Sequence, residues 1–335
     1  RPGRERLIHQ ATGSKMLPAL LLRNARGNPA PLARLFSSSP SPSSSPVPCV
    51  NHNDQFFRTN DGVQLRFTDS GGDGPPLVLL HGWTANGRWF DKNTPFLSEN
   101  GLRVVTLDYR GMGDSEKPGH GTRVSRISKD VKELLDYLAL QKATLIGTSM
   151  GFTVISLYYE MFQKHRLAGV GFVDQTAAQF MKPGWEYGSP GNCAREMVID
   201  LQAELKYNPS NFARAVATGG FGVTPPTEEE YKWFSREFMK CDLEFCGRLM
   251  EDHANLDMRD LIPHMKLPVL NFLGGSTKCH NFDGMAYIGE HAPNALNVTY
   301  DSFGHWLYWE DADRFNKHVL EFVNYVHKYD GDDEL

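Results

Sequence analysis

The segment Gly147-Thr148-Ser149-Met150-Gly151 constrains this 335-residue chain more than any other. It follows a short apolar run, Ala143 to Ile146, and opens a longer one, Phe152 to Met161, so the pattern predicts a strand, a tight turn and a helix. The central residue of such a turn is forced into an unfavourable backbone conformation, and glycine on either side lets strand and helix approach closely. Ser149 is thereby predicted to stand above the strand end with its hydroxyl presented, a candidate nucleophile. The amide of Met150 points to where negative charge would develop on an attacked carbonyl oxygen.

The rest of the chain repeats the same alternation. Short apolar runs at Leu77 to Leu80, Val104 to Leu107, Val170 to Val173, Val269 to Leu273 and Ala295 to Tyr300 read as strands buried on both faces, which belong to parallel sheets covered by helices. Phe56 to Thr59 and Val63 to Asp69 flank Asn60-Asp61-Gly62 and read as a hairpin. Ile127, Val131, Leu134, Leu135 and Leu138 recur at helical spacing behind an expected cap at Ser125 or Ser128. The alternation gives an α/β, doubly wound, mostly parallel sheet. Residues 179–262 break it, supplying no strand, and Glu228 to His253 read as amphipathic helices. We therefore expect a core of residues 54–178 and 263–330, with 179–262 as a helical cap inserted before the last two strands, over the strand ends where ligands bind.

Leu80-His81-Gly82-Trp83 ends the first of these strands, and Asp108-Tyr109-Arg110-Gly111-Met112-Gly113-Asp114-Ser115 follows the next. With the serine turn, these ordered motifs resemble the α/β-hydrolase superfamily from Phe56 to Val326, and within it the esterase and metal-free haloperoxidase-like subgroup. The resemblance implies a second oxyanion donor at the amide of Trp83, with His81, Gly82, Gly147 and Gly151 supporting the site. It makes the Asp108 segment structural, with Arg110 expected to pair with a carboxylate such as Asp108. His305, in Ser302-Phe303-Gly304-His305-Trp306 after the last strand, is the expected general base, because a serine hydroxyl needs an imidazole to take its proton. The other eleven histidines are expected to be surface or structural.

The orienting acid of such a triad usually follows the strand before last. Here Leu273-Gly274-Gly275-Ser276-Thr277-Lys278 puts Thr277 at that position. The sequence Val173-Asp174-Gln175-Thr176 resembles relatives in which the acid has moved to an earlier strand end, so Asp174 is the expected acid, with Asp283 and Asp301 as fallbacks. The expected activity is that of a cofactor-independent serine esterase acting on a small carboxylic ester or thioester. Perhydrolase or haloperoxidase-like chemistry, carbon-carbon hydrolysis or lysis, and a non-catalytic ligand receptor motivated by Thr277 are the alternatives.

Composition narrows the partners. Residues 1–53 hold seven Lys or Arg and a single acid, and the remainder holds 28 basic against 39 acidic side chains. An acidic body repels nucleic acid and anionic lipid. No run is long enough to span a membrane, and neither the five cysteines nor the histidines have zinc-ligand spacing, so no metal and no cofactor are expected. Met16, read as the initiator, begins a cationic stretch without acids that runs to Asn53 and suits mitochondrial import, with a plastid as the alternative. The acidic tail at 331–335 ends in Asp332-Asp333-Glu334-Leu335, which resembles a retention signal for the endoplasmic reticulum lumen. Nothing in the sequence speaks to oligomeric state. Aromatic residues including Trp83, Trp89, Phe221, Trp233 and Phe234 are candidates for an apolar pocket, and Cys241 and Cys246 are expected only to pack.

Overall fold

In a computed structural model the described residues are 47–48, 50, 53–189 and 195–328. The segment before residue 47, expected to direct import, and the acidic tail lie outside them. Eight strands form one sheet: β1 (Asp54–Arg58), β2 (Gln64–Asp69), β3 (Pro76–Leu80), β4 (Arg103–Leu107), β5 (Ala143–Thr148), β6 (Leu167–Val173), β7 (Val269–Gly274) and β8 (Ala295–Tyr300). Their order is β1-β2-β4-β3-β5-β6-β7-β8, antiparallel where β2 meets β1 and β4 and parallel elsewhere. The hairpin and the six apolar runs thus occupy the predicted strands.

Alternate residues of each strand feed opposite sides of the sheet. Val78, Leu80, Val105, Leu107 and Leu145 pack with α2 (Val124–Tyr137) and α3 (Met150–Phe162). Leu77, Leu79, Val104 and Ile146 pack with α1 (Thr94–Glu99) and α10 (Ala312–Lys328), whose Phe315, Val319, Phe322, Val323 and Val326 recur on one helical stripe. Each such buried side chain contributes on the order of 1.5–3 kcal/mol, so the two-sided covering is what makes a fully apolar strand stable.

Between β6 and β7 the chain runs through α4 (Arg195–Tyr207), α5 (Pro209–Gly219), α6 (Glu228–Phe238) and α7 (Leu243–Asn255). The remaining helices, α8 (Phe282–His291) and α9 (Leu307–Glu310), follow β7 and β8. Helix α7 docks on the turn after β4: Gly111, at φ +78°, leaves the space that the Phe245 ring fills, and the Gly111 carbonyl accepts the amide of Asp242 at 2.7 Å. Any side chain at Gly111 would be strained by the backbone and would strike that ring.

Two local expectations are corrected. Neither Ser125 nor Ser128 caps α2; the helix begins at Val124, whose amide donates to Asp252 Oδ2 of α7 at 2.9 Å, while the Ser128 hydroxyl donates to backbone carbonyls of Val124 and Val154. Arg110 does pair with carboxylates, but with Asp130 and Asp61. Asp108 is already used, accepting from Arg66 and from the amides of Gly87 and Asp114. Cys241 and Cys246 are free and packed in the core as expected, and Cys241, in the turn before α7, reaches the Cys246 thiol.

Candidate active site

The turn between β5 and α3 places Ser149 at φ 52°, ψ -123°, a conformation that costs on the order of 1–3 kcal/mol for a residue with a side chain. The amide of Ser149 donates to Val173 O at 2.8 Å, holding the turn against β6. A methyl group on Gly147 would fall on the carbonyl of Gly151, and one on Gly151 would stand 2.7 Å from Leu80 O. The two glycines therefore let strand and helix close on the strained residue.

The turn after β3 lies against the same serine. A Cβ on Gly82 would be 3.0 Å from Ser149 Cβ. His81 is fully buried and is held neutral, its pKa lowered to about 4 by burial. Its Nε2 accepts the Tyr109 amide at 3.1 Å, which leaves Nδ1 to donate to Gly82 O at 2.7 Å. This imidazole braces the backbone that carries the Trp83 amide. The Trp83 indole donates to Cys246 O in α7 at 2.8 Å. Among the described residues no backbone carbonyl accepts the amides of Trp83 or Met150.

His305 follows β8, and its Nδ1 lies 2.5 Å from Asp174 Oδ2. Asp174 ends β6 at φ 51° and is fully buried. Its Oδ1 accepts the Gly274 amide at 3.0 Å and its Oδ2 accepts the Thr277 hydroxyl at 2.8 Å. Burial drives the carboxyl pKa up, but the hydrogen bond and charge of His305, with His280 and the Thr277 hydroxyl, outweigh it and hold Asp174 below the usual carboxylate range. Thr277 is thus a donor to the acid. Asp283 and Asp301 are exposed, and the structure brings neither to His305.

Ser149, His305, Gly82 and Trp83 line one cavity of about 310 Å³. Part of its wall is apolar, with Trp89, Val216, Met250 and Trp306. Phe221 and Phe234, predicted for the pocket, instead pack behind it against Trp306, Phe221 edge-on at a centroid distance of 5.4 Å and Phe234 stacked at 4.4 Å. The segment after α5 is clamped to the His305 loop: Trp306 donates to Gly220 O at 3.0 Å and Val223 to Ser302 O at 3.1 Å. Glu310 accepts the amides of Gly222 at 2.9 Å and Gly304 at 2.7 Å. Burial raises the Glu310 pKa to about 7, against those two donors.

Two histidines that sequence reasoning assigned to surface or structure, His253 and His280, also line the cavity. They come from α7 and from the segment before α8, and no spacing or motif announces them. Asp174, His280 and His305 each offer one metal-ligand atom, all within 4.8 Å of one another. Asp174, however, already spends its oxygens on Gly274, Thr277 and His305.

The family profile for the alpha/beta hydrolase fold matches residues 75–192. A Synechocystis protein named as a candidate non-heme chloroperoxidase is 35% identical over 285 residues, covering 78% of this chain and 95% of its own. A bifunctional esterase/perhydrolase from Acinetobacter calcoaceticus is 24% identical over 80% of this chain and 99% of its own. Among solved structures, an esterase from Exiguobacterium antarcticum superposes with TM-score 0.76 at 22% identity, over 80% of this chain and 98% of its own. A bromoperoxidase from Bacillus anthracis gives TM-score 0.75 at 23% identity, over 81% and 100%. With the fold, the ordered motifs and a relative of that similarity matched along nearly its whole length, the chain belongs to the α/β-hydrolase superfamily.

Proposed function

We propose that this protein is a serine hydrolase that cleaves a carboxylic ester or thioester through an acyl-enzyme. The reading is carried by one observation, the 2.5 Å hydrogen bond from His305 Nδ1 to a buried, ionised Asp174, beside a cavity shared with the strained Ser149. That bond fixes the proton on Nδ1 and leaves Nε2 free to take the proton of Ser149 Oγ as the hydroxyl attacks the carbonyl. The amides of Trp83 and Met150 receive the oxyanion. His305 then returns the proton to the leaving alcohol or thiol, and a water activated by the same imidazole releases the acid.

The relatives named for esterase, perhydrolase and haloperoxidase activities support this choice. They also favour one second reading, in which acetate and peroxide exchange at the same acyl-enzyme to give a peracid. The receptor reading loses its motive, since Thr277 supports a carboxylate supplied from β6. Labelling of the folded protein by a fluorophosphonate probe tests the proposal. Wild type should label and turn over p-nitrophenyl acetate, while Ser149→Ala and His305→Ala should not; an unlabelled wild type overturns it. The cationic segment between Met16 and Asn53 is proposed to be a mitochondrial import sequence, and diffuse cytosolic fluorescence of a fusion carrying residues 16–53 would sink that assignment.

A further inference from the structure

The cavity is also lined by a chain of buried polar side chains: Gln179 and Ser189 from the connection after β6, His253 from α7 and His280 from the segment before α8. Gln179 Nε2 lies 2.8 Å from His253 Nε2, the Ser189 hydroxyl donates to Gln179 Oε1, and Ser189 Oγ lies 2.7 Å from His280 Nδ1. The directions of these bonds settle the protons. The carboxamide nitrogen of Gln179 can only donate, so His253 Nε2 accepts and the proton of neutral His253 sits on Nδ1. The Ser189 proton goes to Gln179, so Ser189 Oγ accepts from His280 and the proton of neutral His280 also sits on Nδ1.

Each end of the chain therefore presents one unused function. His253 Nδ1-H is a buried donor with no partner among the described residues. His280 Nε2 is a lone pair to which no described residue donates, and its ring lies 5.1 Å from that of His305, centroid to centroid. Both imidazoles stay neutral at ordinary pH, because burial lowers the pKa of His253 to about 4 and that of His280 to about 3, the latter helped by His305. The His253 donor is buried without a partner, an arrangement that is costly unless a ligand or water satisfies it.

We propose that His253 and His280 form a polar subsite that selects esters carrying an uncharged group with both a hydrogen-bond acceptor and a donor, of which a secondary amide is the simplest. Its carbonyl would accept from His253 Nδ1-H and its N-H would donate to His280 Nε2. A carboxylate is disfavoured, since it would meet the lone pair of His280 with the negative charge of Asp174 behind it, within the same 4.8 Å cluster. This inference rests on the serine-hydrolase reading and names a substrate class for it.

Two matched pairs of esters test the subsite on either side of the scissile bond. On the acyl side p-nitrophenyl N-acetylglycinate is compared with p-nitrophenyl pentanoate; on the alcohol side 2-acetamidoethyl acetate is compared with pentyl acetate. Each kcat/KM ratio is divided by the ratio of the hydroxide-catalysed rates. Wild type should favour the amide member of at least one pair by tenfold or more, and His253→Phe or Gln179→Leu should bring that ratio back near unity. A wild-type ratio near unity in both pairs, or a preference unchanged in folded His253→Phe, overturns the subsite and leaves the hydrolase reading standing. No turnover of any of the four esters, together with no fluorophosphonate labelling, overturns both.

Discussion

The ends of β6 and β7 are neighbours in the sheet and hold different residues. The first ends in Asp174 and the second leads into Thr277, yet both side chains reach the same point, because the Thr277 hydroxyl donates to the oxygen of Asp174 that faces His305. In the proposed triad the two neighbouring strand ends share the work of orienting one imidazole, one with a carboxylate and the other with a donor to it. What must be kept is a desolvated carboxylate with its lone pairs filled, and either strand can supply the carboxylate while the other supplies a donor.

The sharpest way to break this comparison is Asp174→Asn, which keeps the shape and removes the charge. We expect kcat/KM for p-nitrophenyl acetate to fall by about 10³–10⁴, as loss of the imidazole-orienting acid does; a fall of less than tenfold would exclude Asp174 from the site. Exchanging the two roles sharpens it. Asp174→Ser combined with Thr277→Asp should recover on the order of tenfold or more over Asp174→Ser alone, and no recovery would show that the strand ends are not equivalent. Thr277→Val alone removes one donor from a buried carboxylate and should cost about 0.5–1.5 kcal/mol in denaturant unfolding, with a several-fold loss of activity.

Glu310 supplies the contrast of a buried carboxylate held by neutral donors only. Its pKa of about 7 lies above the ordinary 4.5, so the folded chain binds a proton there that the unfolded chain releases, and the stability from this group is present below about pH 4.5 and lost as the pH rises through 7. The gap in unfolding free energy between wild type and Glu310→Gln should therefore shrink by about 1–3 kcal/mol between pH 5 and pH 8. A constant gap would show that Glu310 titrates normally.

The elements with a strong local signature were legible. Ser149 announces itself through the glycines around it, His305 through its place after the last strand, and the parallel strands through runs too apolar to face water on either side. Asp174, the hydrogen-bond partner of His305, was pointed to only by wording that resembles a subgroup, since nothing local tells an acid at a strand end from a helix cap. The polar chain was not legible. Gln179, Ser189, His253 and His280 meet only after α7 folds back over the sheet, and a buried histidine looks the same in sequence whether it serves packing or a ligand. The aromatic residues of α6 misled for a related reason: their spacing marks the face that is buried, and the structure spends it on Trp306 and Trp309.

The clamp between the segment after α5 and the loop carrying His305 has a consequence for traffic. Gly220 and Val223 share backbone hydrogen bonds with Trp306 and Ser302, and Glu310 ties Gly222 to Gly304, so the roof cannot lift at this edge without dragging the imidazole out of register. For the proposed reaction, any entry or exit that opened this edge would carry the proposed base with it, so escape of the product is where a slow step would arise.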